Sequence, residues 1–171
     1  MELNMERNPF VLHVATLLRS PGSREHRIVS GRIDDLRVGT TAVGDHSKVS
    51  ADLVLESVHG GILATGEVRA CWVGECRRCL ARASGEVRAF VRELFEPQPA
   101  TDSVYPLTGE DLDVEPLARD AILLDLPLAP LCRQDCRGLC AACGSDLNEE
   151  ACSCAEGAVD WRWAALDALK P

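Results

Sequence analysis

V-S-A-D-L-V-L-E-S-V-H-G-G-I-L-A-T-G-E-V-R-A-C-W, residues 49–72, is the stretch from which the fold is read. Val49, Ala51, Leu53 and Leu55 alternate with Ser50, Asp52 and Glu56, so successive side chains would point to opposite faces and one face would be buried. His59-Gly60-Gly61 breaks the pattern as a turn. Alternation then resumes, with Ile62, Ala64, Val68, Ala70 and Trp72 set against Thr65, Glu67 and Arg69. Two period-two runs around a glycine turn predict an antiparallel hairpin.

Working outward, a third strand is expected from about 81 to 95, with Val87, Ala89 and Val91 inward and Arg82, Arg88 and Arg92 on the opposite face. Residues 9–19 read as a first strand or edge segment, ended by the turn Ser20-Pro21-Gly22-Ser23. His13 within it reads as a half-buried packing residue. Residues 24–48 carry only intermittent anchors and are expected to be strand or loop. Residues 96–109 contain three prolines and no period, which predicts a surface loop. A helix is expected over 114–126, where Val114, Leu117, Ala118, Ala121 and Ile122 share one face. Asp113 is placed to cap it, and Pro116 falls in the first turn, where no amide donor is needed. Residues 160–169 read as a short closing helix that docks Trp161 and Trp163 by core packing.

The chain of 171 residues suits one ordinary domain with a small satellite module. Its 46% hydrophobic content can build a core, while no apolar run approaches the ~20 residues of a membrane span. The formal charge of −9 argues against polyanion binding by the molecule as a whole. The charge is unevenly placed: residues 69–92 hold six arginines against Glu75 and Glu86, whereas 93–126 hold nine acids against Arg119 alone. One face can therefore be basic on an acidic molecule.

Six of the nine cysteines fall between 131 and 154, spaced C-x3-C-x3-C-x2-C-x8-C-x-C. Cys140-Ala141-Ala142-Cys143-Gly144 has the form of a zinc knuckle, two thiolates on one tight turn followed by a glycine free to take positive φ. Either Cys132/Cys136 or Cys152/Cys154 could complete a tetrahedron, so about one zinc is expected through four of these six. Three rival readings are weaker. Cys136, Cys140 and Cys143 match an iron–sulfur spacing, but the large barrel such an enzyme needs has no room after Cys143. A redox pair would want a following helix, which 144–151 does not resemble. Disulfides would suit a secreted chain, and residues 1–10 do not read as a secretory signal.

Cys76-Arg77-Arg78-Cys79 is a second thiol pair. Flanking arginines lower thiol pKa, so the pair could be redox-active or give half of a metal site; equally, it could be a tight turn with inward cysteines and outward arginines. Arg77 and Arg78 at the turn, with Arg82, Arg88 and Arg92 along the strand, are the candidate RNA-binding face on charge alone. Cys71 follows the strand alternation as an ordinary small side chain.

The order of N-P-F near the start, L-E-S-V-H-G-G-I-L-A-T-G at 55–66, G-E-C-R-R-C-L at 74–80, E-P-L-A-R-D-A-I-L-L at 115–124, C-R-G-L-C-A-A-C-G-S-D-L-N at 136–148 and W-R-W-A-A-L at 161–166 resembles the YceD family, the large ribosomal RNA subunit accumulation proteins. It most resembles the high-GC Gram-positive branch. There, histidines often stand where Cys152 and Cys154 stand here, and other branches keep the Cys76/Cys79 motif while lacking the C-terminal cluster. The resemblance implies a non-enzymatic role in ribosome assembly, with large-subunit ribosomal RNA or ribosomal proteins as partners. The RNA-contacting residues are not implied by it.

The expected architecture is α+β: an antiparallel sheet body with one packed helix over 1–130, and a cysteine-rich zinc module with the terminal helix over 131–171. The expected function is that of a cytoplasmic factor for accumulation of large-subunit ribosomal RNA. The alternatives are a zinc or thiol redox sensor and a protein adaptor without RNA contact. No nucleophile with a supporting His/Asp/Glu set and no phosphate-binding glycine loop is found, so enzymatic activity is not expected.

Overall fold

A computed structural model of the chain describes residues 8–99 and 104–154. Along these residues the elements run β1 (Val11–His13), α1 (Ala15–Leu18), β2 (Arg24–Gly31), β3 (Arg37–Val38), β4 (Thr41–Val43), β5 (Val49–Val58), β6 (Gly61–Glu75), β7 (Arg82–Glu96), β8 (Tyr105–Thr108), β9 (Asp111–Asp113) and α2 (Glu115–Asp125). The predicted hairpin is β5 and β6, in antiparallel register from Val58↔Gly61 to Ser50↔Arg69. Val49, Ala51, Leu53 and Leu55 are fully buried, as are Ile62, Ala64 and Val68. Sinking a Val- or Leu-sized side chain in this way contributes roughly 1.5–3 kcal/mol, so one residue of register slip would turn the whole set outward.

β6 is the central strand. One edge pairs with β7 along its whole length, from Ile62↔Phe95 to Glu75↔Arg82. Its other edge takes β5 first and then β4, at Ala42↔Val73 and Val43↔Trp72. β2 extends the sheet beyond β5, and β3 beyond β4. The residues on one sheet face, joined by Phe10, Leu17, Leu117, Ala118 and Ile122, make a continuous core under α1 and α2. The other face is open and carries Ile28, Val54 and Phe90 among ion pairs such as Arg24–Glu56 at 3.0 Å. α2 presents the expected apolar stripe, and Asp113 accepts the Glu115 amide at 2.9 Å, which satisfies one of the helix's open donors.

The structure corrects several expectations. The sheet is mixed rather than antiparallel throughout, because β8 runs parallel to the end of β7 at Phe95↔Tyr105. β8 lies inside the segment expected to be loop: with Leu107 buried against the core, Tyr105–Thr108 pairs on both sides although Pro106 has no amide to give. Residues 9–19 supply a three-residue strand and then the turn of helix α1, so that Phe10, Val14 and Leu17 all reach the core. His13 is not half-buried: its side chain is 66% exposed and lies beside Asp111 and Glu110. The closing helix and its two tryptophans fall outside the described residues.

Candidate metal centres

The long strands β6 and β7 continue past the body of the sheet, and their connection is the turn 76–81. Its ends are held together by the Cys76 amide on the Ala81 carbonyl at 2.8 Å, and Leu80 N–H closes the turn on the Cys76 carbonyl at 2.9 Å. This geometry turns Cys76 and Cys79 inward, where they are 0% and 7% exposed. After α2 the chain returns to the same end of the sheet. Thr41 Oγ1 donates to the Pro127 carbonyl at 2.8 Å, and the Arg77 amide donates to the Pro130 carbonyl at 2.9 Å. These two anchors bring Cys132 and Cys136 against the turn.

The result is a group of four thiols, Cys76, Cys79, Cys132 and Cys136, with all sulfurs within 4.8 Å of one another. Cys76 Sγ lies 3.7 Å from Cys136 Sγ, and Cys79 Sγ lies 3.6 Å from Cys132 Sγ. A tetrahedron with Zn–S bonds of about 2.3 Å has edges of about 3.8 Å, whereas a disulfide would bring two sulfurs to about 2.0 Å. The spacing is that of ligands around a common centre. Leu131 and Leu139 pack against the group and cover it.

A second group, Cys140, Cys143, Cys152 and Cys154, has its sulfurs within the same 4.8 Å limit. Its first two ligands sit on a turn that repeats the one at Cys76: Gly144 N–H bonds the Cys140 carbonyl at 2.8 Å. Gly144 takes φ +76° and Leu80, at the equivalent position, takes φ +63°. Further bonds make this segment a small hairpin, with Leu147 N–H on the Gly138 carbonyl at 2.9 Å and the Cys140 amide on the Ser145 carbonyl at 2.8 Å. Gly138 is required for two reasons: its φ is +79°, and a Cβ there would stand 3.1 Å from the Arg78 carbonyl.

Of the two completions expected for the Cys140/Cys143 half-site, the structure gathers Cys152/Cys154, and it forms a second four-thiol group from Cys132/Cys136 and the Cys76/Cys79 pair. The first group also spans the division expected at 130/131. Two of its ligands come from the sheet and two from the segment beyond α2.

Electrostatics within each group favour a cation. Burial pushes the Cys76 thiol up, but hydrogen bonds from the backbone at Cys79, Cys132 and Arg78 outweigh it and draw the thiol down to about 6. Cys132 is pushed up to about 12, by burial and then by the neighbouring Cys79 and Cys136 thiols. In the second group, bonds from the Ser145 hydroxyl and backbone draw Cys143 down to about 6, and the Cys143 sulfur in turn drives Cys154 up to about 12. One thiolate forms readily and opposes the next; a dication at the centre removes that opposition and allows all four to ionise.

Asn148 is a supporting residue that the spacing of cysteines did not single out. Its amide nitrogen approaches Cys136 Sγ at 3.5 Å, while its oxygen accepts from Arg137 N–H at 2.7 Å and from the Arg133 guanidinium at 2.8 Å. The available signal was Asp146-x-Asn148 straight after the knuckle, since Asp146 Oδ1 accepts the Asn148 amide at 2.8 Å in a turn typical of that pair.

The five candidate RNA-binding arginines occupy three settings. Arg78 reaches into the first thiol group and donates to the Cys136 carbonyl at 2.8 Å. Arg77 is exposed beside it. Arg82, Arg88 and Arg92 do share the open face of β7, but Arg88 is paired with Glu86 at 2.6 Å. The same sheet face holds Asp52, Glu56 and Glu67, each within reach of a basic partner. At ~3.3 Å per strand residue, Arg82 and Arg92 stand about 33 Å apart. The face is a mixed-charge surface with arginines at intervals. Cys71 is exposed on it and lies in neither thiol group.

A strand-built body with two four-thiol groups at one end defines a cysteine-rich protein in which metal-binding potential is concentrated away from the core. The chain belongs to the YceD family: the family model described as large ribosomal RNA subunit accumulation protein YceD matches residues 64–170. That span includes β6 from Ala64 onward, β7, α2 and all eight clustered cysteines. An uncharacterised protein of Mycobacterium tuberculosis is 38% identical over 170 residues, covering 93% of this chain and 80% of the relative. One from Mycobacterium leprae is 39% identical over 131 residues, covering 72% and 60% of the two chains. These mycobacterial relatives place the chain in the high-GC Gram-positive branch. A chloroplast protein of Arabidopsis thaliana, named large ribosomal RNA subunit accumulation protein YCED homolog 1, is 27% identical over 66 residues, covering 39% of this chain and 21% of its own. No solved structure matches. No helix among the described residues is long and apolar enough to cross a membrane.

Proposed function

We propose that this protein is a cytoplasmic ribosome-assembly factor that promotes accumulation of large-subunit ribosomal RNA by binding that RNA or a ribosomal protein on it. The observation that carries the reading is the family match across residues 64–170. The protein acts without catalysis. Its chemically distinctive groups are thiols in closed sets of four, and a tetrathiolate zinc leaves no open position for substrate. Zinc is the metal we assign, because soft thiolate donors in a tetrahedral arrangement suit it and its role in such sites is structural. The arginine-bearing end of β7 and the turn 76–81 form the RNA-facing surface in this reading.

A second reading, a protein adaptor, is favoured by a different observation. A cavity of about 220 Å³ between β7, β8 and α2 is lined by Phe90, Tyr105, Leu124 and the acids Glu93, Asp120 and Asp125. Leu124, on the α2 side of the cavity, is 85% exposed. Such a surface suits a basic protein rather than a polyanion.

Depletion in cells tests the function. Large-subunit ribosomal RNA should fall relative to small-subunit RNA and recover on re-expression; an unchanged ratio removes the ribosomal reading. Rescue with Arg77, Arg78 and Arg82 replaced by glutamate then separates the two modes. The variant should fail if these side chains contact RNA, and it should also flatten the salt dependence of RNA binding in vitro. Full rescue favours the adaptor.

A further inference from the structure

The two thiol groups are alike in composition and unlike in setting. In the first, Cys76, Cys79 and Cys136 are buried and Cys132 alone is exposed; in the second, Cys143 is exposed and Cys140, Cys152 and Cys154 are half-buried. The first draws its ligands from two distant parts of the chain, strapped together by the Arg77 amide on the Pro130 carbonyl, the Leu139 amide on the Arg78 carbonyl at 3.1 Å, and the Arg78 guanidinium on the Cys136 carbonyl. Leu131 and Leu139 cover it, and Asn148 approaches the Cys136 sulfur. The second draws all four ligands from residues 140–154, on a hairpin whose base rests on the first centre through Leu139, Gly138 and Asn148.

We infer that these are two separate zinc centres of unequal exchange: a sealed centre at Cys76, Cys79, Cys132 and Cys136 that locks the C-terminal segment to the sheet, and an exchangeable centre at Cys140, Cys143, Cys152 and Cys154 that trades its ion with solution while the body stays folded. The inference rests on the assignment of zinc made above and adds the number of ions and their order of release.

The physical argument is access. A chelator removes zinc from a tetrathiolate by replacing ligands one at a time, so an incoming donor must reach the ion, and a released thiolate must have somewhere to go. At the sealed centre three of the four cysteines are buried. Releasing Cys76, Cys79 or Cys136 leaves a thiolate buried away from water, which is costly. The turn bearing Cys76 and Cys79 is also fixed by the two strands it joins, so a sulfur freed there falls back on the ion. At the exchangeable centre a freed Cys152 or Cys154 meets water, and opening the 140–154 loop breaks none of the sheet pairing. Local opening of such a unit costs far less than global unfolding.

The test uses the full-length protein loaded with zinc, and its total metal content is measured first. Two zinc per chain are expected, with no iron. On addition of a colorimetric zinc chelator under native conditions, one equivalent should leave in a fast phase and the second at least roughly tenfold more slowly, or only on denaturation. Far-ultraviolet circular dichroism should be unchanged after the fast phase. The variant Cys140→Ser/Cys143→Ser should bind one zinc and lack the fast phase while keeping the slow one. Its outer centre is the one removed, so it should fold. A single release phase of two equivalents overturns the inference, as does survival of the fast phase in that variant, or a total of one zinc in the unmodified protein. Absence of zinc, or iron in its place, overturns both the metal assignment and this inference, but leaves the ribosomal role to be judged by its own depletion experiment.

Discussion

Leu80 occupies a backbone conformation that leucine rarely adopts. It follows Cys79 as Gly144 follows Cys143, and both residues take positive φ with their amides bonded back to the first cysteine of the turn. Glycine tolerates this region freely, whereas a Cβ there costs roughly 1–2 kcal/mol. Leu80 is 62% exposed, so little burial offsets that strain. Leu80→Gly should leave the metal-loaded protein as stable as before or up to about 1 kcal/mol more stable, the gain being partly offset by the greater freedom of glycine in the unfolded chain. The converse change, Gly144→Leu, should destabilise the knuckle and accelerate zinc release from the exposed centre. Denaturant midpoints of both variants check this, and a loss above about 1 kcal/mol for Leu80→Gly would mean that its side chain packs after all. Asn148 belongs to the same scale. Removing its amide from Cys136 with Asn148→Ala should weaken zinc at the sealed centre by roughly 10–100-fold, read by competition with a chelator of known affinity.

β6, β7 and α2 are the elements that position the thiols of the first group. The turn 76–81 is placed by two strands of 15 residues each, in continuous register, so its position is as fixed as the sheet. α2 delivers the chain back to that turn, with Leu117, Ala118 and Ile122 buried against the sheet and Pro127 and Pro130 bonded just beyond. Ile122 is fully buried, and Ile122→Ala should cost about 2–5 kcal/mol in transfer and cavity energy together. Because α2 precedes Cys132, the same change should loosen the sealed centre, and thermal unfolding followed alongside zinc release should shift together. Release unaffected by a destabilised α2 would show that the two bonds at 127–130 hold the segment unaided.

Across the whole molecule, the two thiol groups account for most of the structure beyond α2. The continuous core lies in the sheet and under the helices, with no cysteine in it, while the three buried cysteines form a cluster of their own with Leu131 and Leu139. Stripping all metal should therefore leave the strands folded and release residues 131–154. Limited proteolysis of metal-free protein should cut in that segment while sparing 24–96, and circular dichroism should keep its strand signal. Cooperative loss of the entire fold would instead make metal part of the core's stability. A filled tetrathiolate also carries an excess of about two negative charges. Arg77, Arg78, Arg133 and Arg137 consequently stand where they can balance the centres as well as where they could meet RNA, which is why the glutamate variants need a zinc measurement beside the binding one.

Period-two alternation made β5, β6 and β7 legible with the correct inward residues, because which face of a strand is apolar is a local property. The same holds for α2 and for the Cys140–Gly144 turn, whose spacing needs only the conformational freedom of five residues. β8 was not legible: a tetrapeptide with a central proline has no period, and it is a strand only because the end of β7 and β9 are there to pair with it. The division of the cysteines was beyond reach for the same reason. A two-thiol turn encodes half of a tetrahedron, and its complement is chosen by distance in space. Cys76 and Cys136 are 60 positions apart in the chain and 3.7 Å apart in the fold. Local pattern fixes the long strands, the helix and the half-sites, and the return of the chain to the end of the sheet after α2 selects which half-sites meet.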